Sequence, residues 1–434
     1  MRASVFLAFG LVAVSAFLTA PATAQLRVYQ DGPSPTPGAA HPVGPTRWLD
    51  ITGFAQPGFI VRMDDDFAGR TDDSFWLQRA RLGANAQLFE WLRFRMEVEF
   101  SPVTLLQDAY LEVVIHPALQ LRVGQFLVPF LRAYSFNELN LGFLDRPVYV
   151  PINPDRSFIR YLNPRDVGAM VHGLVGDPSP RSTDPVFQYQ AGAFIGRGPN
   201  IAQNDDGVFL LALRLQLHIL GVPEGMQAES DLARNQNARV AVATSAYSNC
   251  DDRGNWNRGF AIDSELRWNG LYASAGFVWF RNSAGSAFFA EQSQCRGNFD
   301  ETGAPLDFVS RGAHVQVQYV LDREIFPVED MAIEVMARFD WVDANSPYSD
   351  GDPLFGGGST TPGYIAPANF TDSDNPPTRW RLTFGINWFP TGQQQLRLGI
   401  NYQLNREAET VITSEGFVND ISNDIFWIQL TAGL

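Results

Sequence analysis

Between Trp91 and Phe100 apolar and polar residues alternate one for one. Leu92, Phe94, Met96, Val98 and Phe100 share one face, and Arg93, Arg95, Glu97 and Glu99 share the other. A period of two marks an extended strand with one apolar and one polar side. The same rhythm returns where Trp380, Leu382, Phe384, Ile386 and Trp388 oppose Arg379, Arg381, Thr383 and Asn387. It closes the chain in Phe426, Ile428, Leu430, Ala432 and Leu434. Segments of this kind, each long enough for a tilted membrane-crossing strand, fall at residues 47–63, 75–89, 91–101, 105–115, 119–126, 166–175, 186–196, 207–219, 237–248, 258–268, 271–282, 308–321, 331–342, 378–389, 394–405 and 421–434. Helical stripes of useful length are hard to find.

The connections between these segments alternate in length. If the first strand runs outward, the inner turns include Glu90, His116-Pro117-Ala118, Asn269-Gly270 and Pro390-Thr391-Gly392-Gln393. The outer connections are long, among them 127–165, 283–307, 343–377 and 406–420. Short inner turns and long outer loops are the habit of outer-membrane barrels, and an even number of strands returns both ends to the periplasm. Two inner connections, 176–185 and 220–236, are longer than this habit requires. Aromatic residues gather at strand ends, at Trp48, Trp76, Trp91, Trp268, Trp341, Trp380 and Trp388, where girdles meet lipid headgroups. A soluble sandwich would have to hide more apolar strand face than one small core absorbs. The pattern therefore predicts an all-β fold: a 16-stranded antiparallel transmembrane β-barrel over residues 47–434, in the bacterial outer membrane.

The N-terminus reads as an address. Met1-Arg2 supplies a positive start, Val5 to Leu18 is apolar, and Ala22-Thr23-Ala24 fits a small-residue cleavage site, so residues 1–24 read as a signal peptide. Residues 25–46, rich in Pro, Gly and Ala, read as a mobile leader.

Composition sharpens the picture. The 434 residues carry 32 basic and 47 acidic side chains, and no lysine is present, so every basic residue is arginine. The formal charge of −15 speaks against a nucleic-acid partner, which needs a broad basic face. Sorted by strand face, however, the arginines fall on the polar side, inside the barrel. A ring of ~16 strands is wide enough to leave an aqueous channel, and arginine rings in such a channel favour anions and phosphates. The candidate pore-lining residues are Arg79, Arg81, Arg93, Arg95, Arg122, Arg132, Arg379 and Arg381. Neighbouring acids such as Glu97, Glu99, Asp108 and Glu112 leave a second reading open, in which the charges brace the wall. The connection 127–165 is too apolar for water, with Phe130, Phe136, Leu139, Phe143 and Leu144, and is expected to fold back into the pore. Arg132, riding on it, is expected at the narrowest point, or bridged to Glu138 or a wall acid.

These residues resemble a known family. Leu106-Gln107-Asp108-Ala109-Tyr110 precedes Leu121-Arg122-Val123-Gly124-Gln125-Phe126, then Val128-Pro129-Phe130, Asp145-Arg146 and Arg165-Asp166-Val167-Gly168. The run resembles the phosphate-selective porin O and P family over roughly residues 47–176. The resemblance implies a sixteen-stranded outer-membrane porin, usually a homotrimer, passing phosphate or other small anions, with Arg79, Arg81 and Arg132 entering the pore. Leu127 stands where family members often carry lysine, and the chain ends in Leu434 where phenylalanine is usual.

Cys250 and Cys295 both fall in outer loops, where an oxidising setting allows a disulfide between them. Acidic pairs such as Asp64-Asp65 and Asp251-Asp252 read as solvated loop rather than metal ligands, though they could hold a divalent cation against lipopolysaccharide. The histidines are scattered over separate segments, without a serine or metalloprotease motif. The expected function is thus a non-enzymatic porin without cofactors, passing small hydrophilic solutes and leaning to anions. A structural barrel with a plugged lumen, or a barrel hydrolase, are the alternatives.

Overall fold

The computed structural model describes residues 26–31, 47–63, 73–102, 104–150, 164–201, 203–204, 207–250, 255–284, 308–321, 331–346, 378–407, 411–413, 416–418 and 424–434. The signal-peptide segment, Cys295 and the acidic pairs at 64–65 and 251–252 lie outside them.

Every alternating segment forms a strand. In chain order the strands are β1 (Leu26–Asp31), β2 (Arg47–Met63), β3 (Ser74–Phe89), β4 (Leu92–Glu99), β5 (Leu105–His116), β6 (Leu119–Leu127), β7 (Arg165–Val175), β8 (Val186–Phe194), β9 (Leu210–His218), β10 (Arg239–Cys250), β11 (Asn255–Trp268), β12 (Leu271–Ala284), β13 (Phe308–Val320), β14 (Ala332–Ser346), β15 (Arg379–Phe389), β16 (Leu396–Glu407), β17 (Val411–Thr413), β18 (Gly416–Val418) and β19 (Asp424–Gly433). Among the described residues, sixteen of them (β2 to β16, and β19) close an antiparallel ring. β19 returns to β2, with Asp424 opposite Met63 and Gly433 opposite Phe54. β17 and β18 form a small hairpin outside the ring.

One expectation changes in the leader. Residues 26–31 pair with β2 over Arg47 to Ile51, on the stretch of that strand lying beyond the end of β19. The last strand stops short, so the unpaired edge of β2 accepts a further strand.

The ring is inside-out relative to a soluble protein. On β13, His314, Gln316 and Gln318 are buried while Val315, Val317 and Tyr319 are exposed. On β4, Glu97 and Glu99 are buried and Met96 is exposed. Exposed Leu82, Leu111, Val123, Leu213, Ile262, Phe339, Phe384 and Ile386 continue the apolar exterior around the ring. Soluble monomers rarely expose apolar patches beyond a few hundred Å², whereas a lipid-facing band requires one. Polar groups then have nowhere to go but the interior.

The interior is occupied by the connection after β6, as its apolar content predicts. It carries a helical turn, α1 (Arg132–Ser135), and a 3-10 turn at Glu138–Asn140. Phe130 packs against Tyr247 and Phe280, with ring centroids 4.9 and 5.6 Å away. The Tyr149 ring lies over Gly312, where any Cβ would overlap it, and its hydroxyl meets His314 Nδ1 at 2.7 Å. Each fully buried aromatic or leucine contributes about 1.5–3 kcal/mol, which binds the segment to the wall.

Candidate solute pathway

Strand register sets the charge pairs. Arg81 stands opposite Glu99, Arg93 opposite Glu112, and Glu112 opposite Arg122. Opposite charges in directly facing positions attract, and like charges repel. Glu97 and Asp108 do face one another, and Arg95 resolves that repulsion by reaching both, at 2.9 and 3.1 Å. Arg122 bonds Glu112 at 2.5 Å and lies 4.3 Å from the centre of the Tyr110 ring. Arg93 lies 3.8 Å from Glu112, and Arg165 2.8 Å from Asp108.

On this wall, made of β3 to β7, the partners are unequally covered in the pairs of Arg93, Arg95 and Arg122, whereas Arg81 and Glu99 are both covered. The Arg93, Arg95 and Arg122 side chains keep 38, 27 and 22% of their surface accessible, while Glu97, Asp108 and Glu112 keep 5, 9 and 9%. In these three pairs the carboxylate is the more covered partner and the arginine side chain the more accessible one.

The rest of the interior is different. Arg239, Arg267, Arg338 and Arg397, on β10, β11, β14 and β16, are covered and hold main chain. Arg338 donates to the carbonyls of Asp145 and Arg146 at 2.7 and 3.0 Å and to Asp340 at 2.8 Å. Arg397 grips the carbonyl of Leu141, and Asn387 that of Gly142 at 2.9 Å. Arg214, from the adjoining β9, takes Asp263 with both terminal nitrogens at 2.7 and 2.8 Å and also reaches the Phe130 carbonyl. A planar five-donor fork holds several carbonyls and a carboxylate at once in fixed geometry, with more donors than the three of a lysine ammonium. That is a physical reason for a wall built on arginine alone.

The remaining candidates lie on β3, on β15 and on the inserted loop. Arg79 is 3.8 Å from Glu99. Arg81, with only 2% of its side chain accessible, bonds Glu99, Glu97 and Glu138 at 2.7, 3.1 and 2.6 Å. Arg381 bonds Asp145 at 2.9 Å and Asn405 at 2.6 Å. Arg379 is half-buried and faces Glu407 in register. Arg132 turns to the wall, paired with Glu265 and lying 4.6 Å from the Phe136 ring centre. Of the two placements expected for it, the bridge to a wall acid is the one found. Burial favours the neutral form of the Glu138 carboxyl, yet Arg81, Arg146 and Arg79 around it outweigh burial and hold it well below the usual carboxylate range.

Between the loop and the wall is a small cavity bordered by Gln78, Arg79, Asp145, Arg146, Arg397 and Gln429. These residues hold three buried donors and three buried acceptors without a protein partner: Arg79 Nε, Arg146 Nη1 and Arg397 Nε against Gln78 Oε1, Asp145 Oδ1 and Gln429 Oε1. That balance matches water better than an ion of either sign.

Arg338 and Arg397 stand out in the sequence only as polar-face arginines. Their role in gripping carbonyls depends on where a distant loop settles. Cys250 ends β10, buried beside Trp256, and is not a free thiol.

The barrel can now be set beside known structures. Pseudomonas putida OprB superposes with a TM-score of 0.54 at 9% identity, over 89% of this chain and 94% of that one. The fold is that of an outer-membrane porin. Vibrio cholerae OmpT (TM-score 0.49, 9% identity, 89% of this chain and 98% of that one) and the outer-membrane channel DcaP of Acinetobacter baumannii (0.47, 11%, 89% and 97%) are similar at lower scores. No family model and no curated protein matches the chain. The likeness to phosphate-selective porins thus reaches as far as the porin barrel, and nothing among these neighbours points to that family in particular.

Proposed function

We propose that the protein is a non-enzymatic outer-membrane diffusion channel for small hydrophilic solutes, and that it favours anions, phosphate among them. One observation carries the reading. On the β3–β7 wall the side chains of Arg93, Arg95 and Arg122 are the accessible partners of more deeply covered carboxylates. A solute passing along this wall meets positive charge first, although the summed charge is close to balanced. Export by the 1–24 segment, a homotrimeric state, contact with lipopolysaccharide and a Cys250–Cys295 disulfide belong to the same reading.

The test is reversal potential in a salt gradient across a planar bilayer. The native protein should prefer chloride over potassium. Arg95→Gln combined with Arg122→Gln should bring the potential towards zero or past it, since the acids beneath are then uncovered. Cation preference in the native channel would overturn the anion reading. The alternative of a structural, plugged barrel is favoured by the covered Arg267, Arg338 and Arg397 and the segments they hold inside the ring, and it predicts no unitary conductance at all.

A further inference from the structure

The connection between β9 and β10, residues 219–238, does far more than turn the chain. A periplasmic turn needs only a pair such as Asn269-Gly270, which joins β11 to β12. Here the chain instead climbs into the lumen, and Glu229 and Ser230 at its tip, with Asp231 beside them, are buried.

Four groups hold it there. Arg267, fully buried on β11, donates to the carbonyls of Gly225, Ser230 and Ala228 at 2.9, 3.0 and 2.6 Å. Ser230 Oγ donates to Glu334 on β14 at 2.6 Å. Asp231 accepts the Gly270 N–H at 2.7 Å, and Arg234 reaches the Val320 carbonyl at 3.0 Å, tying the base to neighbouring turns.

The tip also meets the outer loop. The Glu229 N–H donates to the Asn140 carbonyl at 2.8 Å, and the Gly142 N–H donates to Glu229 Oε2 at 3.3 Å. Glu265 on β11 links the two indirectly, pairing with Arg132 of the loop and, at 3.3 Å, with Arg267, which holds the connection. Two connections that enter from opposite ends of the barrel thus share one main-chain hydrogen bond and one from main chain to carboxylate inside it.

We propose that residues 219–238 are a stopper inserted from the periplasmic end, closing the lumen along the β10–β16 wall and latching the tip of the outer loop. The inference rests on the reading of the barrel as a channel. Traffic in the resting protein is confined to the β3–β7 side, and displacement of the stopper from the periplasmic side widens the pore.

Single-channel recording tests this with two variants of the full chain. One replaces residues 223–236 by a short Gly/Ser linker. The other, Arg267→Ala, keeps the chain length and removes the carbonyl contacts. Strand content by circular dichroism establishes that each has folded. If open cross-section sets conductance, freeing the covered side should raise the unitary step about twofold or more in the linker variant. Arg267→Ala should give the same larger step intermittently. Native-sized steps in both folded variants would overturn the stopper while leaving the channel standing. A silent native protein with conducting variants would support the stopper and refute the open β3–β7 path. Silence in all three would refute both.

Discussion

Arg81 separates two roles for a pore arginine. Its guanidinium bonds Glu138 of the loop at 2.6 Å and Glu99 and Glu97 of the wall at 2.7 and 3.1 Å, and it is almost wholly covered. Arg81→Gln removes the one cation shared by three buried carboxylates. Breaking a buried ion pair from one side costs about 3–5 kcal/mol. Each acid here keeps another arginine, since Arg79 remains near Glu99, Arg95 near Glu97 and Arg146 near Glu138. The lower end, about 3 kcal/mol, is therefore expected. Glu138 can escape the loss by leaving with the loop, so much of that energy should appear as loop release. About 3 kcal/mol shifts a docked–released equilibrium by more than a hundredfold. Bilayer recordings should show noisier open channels, and the thermal unfolding midpoint should fall. Selectivity should change little, because Arg81 is shielded from solute. The opposite result, an unchanged midpoint and quiet channel with weakened anion preference, would refute the bracing role and make Arg81 a solute contact.

Acidification should act through the loop carboxylate. The Glu138 carboxyl is held low against burial by Arg81, Arg146, Arg79 and Arg165. A depressed value in the folded state stabilises docking fully above the ordinary carboxylate value of about 4.3, and that contribution is lost only as pH falls through the depressed value. Channel noise should be the same at pH 7 and pH 5 and rise only in stronger acid; a rise between 7 and 5 would contradict this. For the cysteines, intact mass without reductant should lie two hydrogens below the reduced mass, with both thiols refractory to alkylation until reduced. Ready alkylation of the unreduced, unfolded chain would rule out the Cys250–Cys295 bond.

The strands were legible because each must show lipid one face and water the other, which leaves a period of two in the residues themselves. β4 and β13 carry it plainly. β1 was not legible, since a six-residue segment in a Pro- and Gly-rich leader has no such face to satisfy; its strand character comes from the free edge of β2. The insertion of the outer loop was legible in Phe130, Phe136 and Phe143, which have no place in water. What the loop binds was not: Arg338 and Asp145 lie on different strands' business until the ring closes, separated by 193 positions. The stopper left one mark in the sequence, an inner connection longer than a turn needs. The unequal covering of Arg95 and Asp108 left none, because it depends on how far each side chain stands off a curved wall.

Arg267, Arg338 and Arg397 hold main-chain carbonyls rather than side chains of the segments they secure. A carbonyl is present whatever the residue, so the anchoring places little demand on amino-acid identity at positions such as Ala228 and Leu141. Side chains there can change without undoing the attachment. The barrel is in this sense a frame with exchangeable fittings: the lining can diverge to suit new solutes while the wall arginines continue to hold whatever backbone is presented to them.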